Sequence, residues 1–240
     1  MSEEPVNLGM EKEQGMEDAP ASAEPIPQII HGVFAFPNPD KSQHFIRFID
    51  SHYNDFFKVP DGGSIIATTR MGIERTAACH YIDDYHAMIG VRPWHICEFA
   101  EAMEQAGEIC RPENPQPGDN FDFYEIFQLI STREYGYMPY EEAKGKIRPQ
   151  DYRRVYGGML APDVTLDAIY DKHNRENRPL PRDMRSLSMS DIVVLNRGGQ
   201  RQAFYVDRIG FTECREFLEP KSKAKGQRKG RKRTPKKQER

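Results

Sequence analysis

Residues 221–240 hold eleven Lys or Arg, one Glu and no large apolar side chain. The last twenty positions of this 240-residue chain therefore cannot join a hydrophobic core. Gly226, Gly230 and Pro235 interrupt any helix and the like charges repel, so residues 220–240 are expected to be a disordered basic tail. The other 220 residues carry 23 basic and 36 acidic side chains, a net −13 hidden behind an overall charge of −3. Residues 1–28 are the opposite extreme, with seven acids, one Lys and many Pro, Ala and Ser. Too little apolar surface is available there to offset ordering entropy, which predicts a disordered acidic segment.

The folding sequence is thus confined to the middle, where the patterning predicts an α+β chain. It reads as two small modules with short antiparallel sheets and amphipathic helices. The first, residues 29–111, opens with a β-rich run from Ile29 to Phe36. Asp40 with Gln43 makes a capping box, and Phe45, Ile46, Ile49, Tyr53, Phe56 and Phe57 recur at helical spacing, which predicts a helix from Asp40 to Phe57. Ser64–Arg70 and Glu74–Tyr81 read as a strand pair. A helix beginning near Trp94 or His95 carries Ile96, Phe99, Ala100, Met103 and Ala106 on one stripe, with Gly107 placed as its C-cap.

Residues 112–121, rich in Pro, predict a stiff extended linker. The second module, residues 122–219, has strand patterns at Phe123–Ile130 and Tyr152–Tyr156, a helical turn after Pro139, and a helix capped by Thr165. Residues 174–185 read as a polar loop. Asp191–Asn196 and Gln202–Asp207 form a hairpin across Arg197-Gly198-Gly199, with Phe211 and Phe217 covering its end.

Met1 is not followed by a basic region and an apolar stretch, and no run approaches 18 apolar residues, so a cytoplasmic location is expected. Cys79, Cys97, Cys110 and Cys214 contain no CxxC pair and read as free thiols.

The densest polar constellation is Cys79, His80, Asp83, Asp84, His86, His95 and Cys97. His95 and Cys97 stand too close for two ligands from one helical face, and Cys79 and His80 point opposite ways along a strand, so no metal site is expected. A Cys97–His pair at a helix N-terminus would give a nucleophile, but Cys97 shares its helix with the apolar stripe and lacks a signature motif. Asp61-Gly62-Gly63-Ser64 lacks the following Lys of a phosphate loop and reads as a tight turn. Ser186, Ser188, Ser190 and Asp191 lack a nucleophile elbow and read as strand-entry hydrogen bonding.

Two segments resemble known families. The ordered series Tyr124-Glu-Ile-Phe-Gln-Leu129, Ser186-Leu-Ser-Met-Ser-Asp-Ile-Val-Val-Leu195 and Tyr205-Val-Asp-Arg-Ile-Gly-Phe211 resembles the YodL-like domain family. Phe57-Lys-Val-Pro-Asp-Gly-Gly-Ser64, Tyr81-Ile-Asp-Asp-Tyr-His86 and His95-Ile-Cys-Glu-Phe-Ala100 resemble a large polyvalent protein-associated domain family. These resemblances imply a bacterial integrative conjugative element as context, and bring no established active site.

The functional expectation is a non-enzymatic accessory protein without cofactor or metal. Lys221, Lys223, Lys225, Arg228, Lys229, Arg231, Lys232, Arg233, Lys236 and Lys237 would hold nucleic acid without sequence preference, and the modules would hold a protein of the host or element. Tyr205, Asp207, Arg208 and Phe211 form a candidate interaction surface. Three alternatives stay open: shielding of the tail by the chain's own acidic parts, RNA or DNA contact by the second module itself, and an enzyme built on Cys97 or the Asp83–Asp84 pair.

Overall fold

The computed structural model describes residues 28–35, 44–50, 52–132, 134–180 and 182–218. Both charged ends, and the Asp40–Gln43 capping box, lie outside the described residues.

Strands β1 (Gln28–Ile30) and β2 (Val33–Ala35) pair across His31-Gly32. The helix expected up to Phe57 is replaced by a hairpin, β3 (Phe45–Ile49) and β4 (Asp55–Pro60). The same apolar residues satisfy a period of two: Ile46 and Phe48 are buried while Phe45 and Arg47 are exposed. Asp50 decides between the patterns. Its carboxylate accepts the backbone N–H groups of His52 and Asn54 at 2.8 and 2.9 Å, turning the chain so that Phe48 stacks on Phe57.

Strands β5 (Ser64–Thr68) and β6 (Glu74–Asp83) form as expected, and β6 turns back into β7 (His86–Ile89) and β8 (Arg92–His95). Helix α1 (Ile96–Ala106) runs from its cap at His95 to Gly107, and β9 (Ile109–Pro112) returns beside β5. The resulting antiparallel order is β8-β7-β6-β5-β9. The strands from His86 onward and β9 carry no alternation long enough to be read in isolation.

Strand β10 (Phe123–Leu129) opens the second sheet, followed by α2 (Tyr140–Ala143), a 3-10 turn at Pro149–Asp151, β11 (Tyr152–Met159) and α3 (Leu166–Asn174). The Thr165 hydroxyl caps α3 by accepting the Ala168 N–H at 3.2 Å. Strands β12 (Ile192–Arg197) and β13 (Gln200–Val206) meet across Gly198 and Gly199, whose φ values of 54° and 76° suit the two-residue hairpin turn. Strand β14 (Phe211–Glu213) and α4 (Arg215–Leu218) close the element series, in the order β11-β10-β12-β13-β14.

This sheet is buried on both faces, which is why Ile192–Leu195 is continuously apolar. Ile192 and Val194 pack with Ala203 and Tyr205 under α2 and α4. Val193 and Leu195 face the opposite way, toward Ile169, Met184 and Leu187.

The segment expected to be a stiff extended linker is tied to the first part at both ends. The Glu113 N–H donates to the Ser64 carbonyl at 2.9 Å and the Asn120 N–H to the Phe56 carbonyl at 2.7 Å. The two parts also meet directly. Met159, Ala161 and Val164 join the core around Phe48, Phe57 and Phe99. The Tyr156 hydroxyl donates to the Glu104 carbonyl at 2.9 Å, and the Gly157 N–H to the Gly107 carbonyl at 2.9 Å. Gly107 is required twice over: its φ is 67°, and a Cβ there would stand 2.8 Å from the Tyr156 ring.

Candidate functional site

The polar constellation of the first sheet resolves into local scaffolding. Asp83 sits at a bulge in β6 and accepts the N–H groups of Tyr85 and His86 at 2.8 and 2.7 Å, with the His86 ring 2.9 Å away. His95 Nδ1 accepts the Cys97 N–H at 3.2 Å, which makes His95 the N-cap of α1 and requires that nitrogen to be unprotonated. The Tyr53 hydroxyl lies against the Cys97 thiol, and that hydrogen bond raises its pKa. Cys79 is buried, and burial pushes its thiol up to about 11. Among the described residues no group of three or more His, Cys, Asp or Glu is placed to hold a metal. Asp61-Gly62-Gly63 is a turn, with the Gly62 N–H donating to the Cys79 carbonyl.

The serine-rich entry to β12 is organised around Asp191, which is fully buried. Its carboxylate takes both terminal nitrogens of Arg185, the Gln128 amide at 3.1 Å and the Ser188 N–H at 2.9 Å. Burial raises its pKa to about 6 against the lowering pull of Arg185 and these donors. Ser190 has a φ of 76°, a conformation rare for serine. Its hydroxyl accepts the Tyr137 N–H and its carbonyl accepts the Tyr152 hydroxyl. The cluster fastens the polar loop to the sheet.

One proposed surface residue is corrected by burial. Tyr205 is 0% exposed, and its hydroxyl donates to the Met138 carbonyl at 2.8 Å, so it belongs to the core. Its cross-strand position opposite Ile192 signals this. Phe211 is half-buried, edge-on to Tyr170. Asp207 accepts the Tyr140 and Arg208 N–H groups and the Thr212 hydroxyl, closing a turn from which Arg208 and Ile209 project exposed. Arg201 is engaged by Glu125 at 2.7 Å. The tail cations, from Lys221 to Lys237, lie outside the described residues.

A cleft of about 400 Å3 lies between the two parts. Phe48, Phe57 and Phe99 wall it on one side, Tyr124, Tyr156 and Ile169 on the other. Its acidic lip comes from α1 and the turn after it, through Glu104 and Glu108; the basic lip, Lys172 and Arg175, comes from α3 and its C-cap. Glu104 and Lys172 pair across at 3.0 Å. The Tyr124 hydroxyl meets His173 Nε2 at 3.0 Å behind the wall, where burial lowers the His173 pKa to about 3 and keeps the ring neutral. Because the walls come from elements scattered along the chain from β3 to α3, no linear motif marks this site.

No helix among the described residues is long and apolar enough to cross a membrane. No curated protein and no solved structure matches the chain. Residues 123–217, which comprise the second sheet with α2, α3 and nearly all of α4, match the YodL-like domain.

Proposed function

We propose that the protein is a non-enzymatic accessory protein of a mobile genetic element, working in the cytoplasm. Its folded body holds a partner protein, and residues 221–240 hold nucleic acid without sequence preference. One observation carries this reading: eleven cations gathered in twenty residues, behind a remainder of net −13. Such a segment gains affinity by releasing the counterions of a polyphosphate. The residues before it are fixed, because Phe217 is buried between Phe127 and Tyr152 and Glu216 accepts the Tyr140 hydroxyl. Support for the mobile-element context comes from the YodL-like match at 123–217 and from the resemblance of Phe57–Ser64, Tyr81–His86 and His95–Ala100 to polyvalent protein-associated domains. Arg208 and Phe211, on and beside the exposed turn that Asp207 closes, are the partner-facing residues.

A gel-shift salt titration on duplex DNA tests the tail. If about eight phosphates are contacted, log K falls against log salt with a slope of about −7. A full-length variant with Gln at the ten named Lys and Arg positions should bind weakly with a shallow slope. Equal binding by that variant would move the contact to the body, and no binding by either form rejects the nucleic-acid role.

A further inference from the structure

We infer that the open edge of β6, at residues 74–78, is a docking site that takes an extended segment of a partner protein as an added strand. The site depends neither on the tail nor on Arg208 and Phe211. Strand β6 is longer than the hairpin beside it: residues 79–83 lie along β7, whereas residues 74–78 pair only with β5. The neighbouring bonds fix where the free backbone groups point. Cys79 bonds Gly62 and Gly63 through its backbone on the β5 side, and the Ala78 carbonyl accepts the Gly90 N–H on the other. Alternation along the strand then aims the N–H and C=O groups of Glu74 and Thr76 at the open side. No described strand pairs with them there, and Glu74, Arg75 and Thr76 are all exposed. The register is regular and free of Pro, whereas the outer strand β8 carries Pro93. An edge of this kind is a template for another strand.

The side chains along this edge select the occupant. A second copy of the chain would pair antiparallel across a two-fold axis, and each register of that pair meets an obstacle. Thr76 opposite Thr76 sets Glu74 against Ala78, where the Gly90-Val91 turn already fills the space. The next two registers set Arg75 against Arg75 or Glu74 against Glu74, and like charges directly opposite repel. A foreign strand avoids all three by placing an acid opposite Arg75. Glu74 is held by Arg111 at 3.6 Å, which leaves Arg75 without an acidic partner among the described residues. Residues two before and two after that acid share its face. They reach Ile73 at one end, and at the other Ala77, which lies beside the Gly90-Val91 turn. Ile73 is 57% exposed and Val91 97%, so apolar side chains gain most there. The partner segment therefore reads apolar-x-acid-x-apolar, in either direction.

Fluorescence anisotropy of the labelled peptide Thr-Val-Thr-Glu-Thr-Val-Thr, titrated with the full chain, tests this. One saturable isotherm is expected. A twin peptide N-methylated at the two threonines beside Glu has the same charge, so the basic tail cannot tell the two apart. It lacks the edge-facing donors and should bind about tenfold more weakly. Arg75→Glu should weaken the Glu peptide about tenfold and turn the preference to its Lys-centred counterpart. Thr76→Pro removes an N–H that faces away from β5, so it should fold and weaken the peptide by a similar factor. Circular dichroism checks folding; if Thr76→Pro does not fold, Arg75→Glu decides. Absence of saturable binding, equal binding of the N-methylated twin, or an unchanged preference in Arg75→Glu overturns the assignment. So does a dimer in sedimentation that Thr76→Pro dissolves, which would give the edge to a second copy.

Discussion

Asp191 shows how one residue ties loop, sheet and pH together. Its carboxylate has no contact with solvent, and burial outweighs Arg185, giving a folded pKa of about 6 against 3.8 in an open chain. The folded state therefore holds the proton more tightly than the unfolded one. The stability this contributes is fully present below the unfolded pKa and is lost as pH rises through about 6. Relative to Asp191→Asn, which does not titrate, the unfolding free energy of the unaltered chain should fall by up to about 3 kcal/mol between pH 4 and pH 7. Urea unfolding of both proteins across that window measures the difference, and a flat difference would contradict it. The residues of this cluster were legible as a strand entry because Ser and Asp hydrogen-bond local backbone. The Gln128 and Arg185 partners were not, since they arrive from elsewhere in the chain.

At the scale of elements, α1 was readable from end to end. Its stripe, its cap near His95 and its terminating Gly107 are local properties, and the helix spans Ile96–Ala106. The β12–β13 hairpin was equally legible, because two consecutive glycines and two apolar strands define it without outside help. These two turns separate backbone strain from packing. Gly198 has a positive φ with open space around it, whereas a side chain at Gly107 also meets the Tyr156 ring. Gly198→Ala should cost about 1 kcal/mol from the left-handed backbone alone. Gly107→Ala should cost at least about 1 kcal/mol more, as the ring is forced aside. Urea midpoints compare the two. The β3–β4 hairpin marks where local reading failed. Its aromatic and branched residues fit periods of 3.6 and 2 alike, and the choice fell to the Asp50 turn and to packing of Phe48 on Phe99.

For the whole molecule, the shared core predicts cooperative behaviour. Met159, Ala161 and Val164 pack among first-part residues, and Arg70 pairs with Asp183 at 2.8 Å across the boundary. Trp94, the single tryptophan, reports on the first part, and amide exchange in β12 reports on the second. Both should follow one unfolding transition with a common midpoint; separated midpoints would show that the parts fold independently. The sequence by itself determined the segregation of charge to the two ends, the α+β character of the middle, the capped helices α1 and α3, and the glycine hairpin. Each depends on composition or on neighbours a few positions apart. Only the tertiary structure decided that Tyr205 is core, that residues 113–120 are strapped to the body, and that a cleft lies between the parts. Those features depend on which faces find each other between segments far apart in the chain, and burial against a distant partner leaves no periodic trace in the sequence.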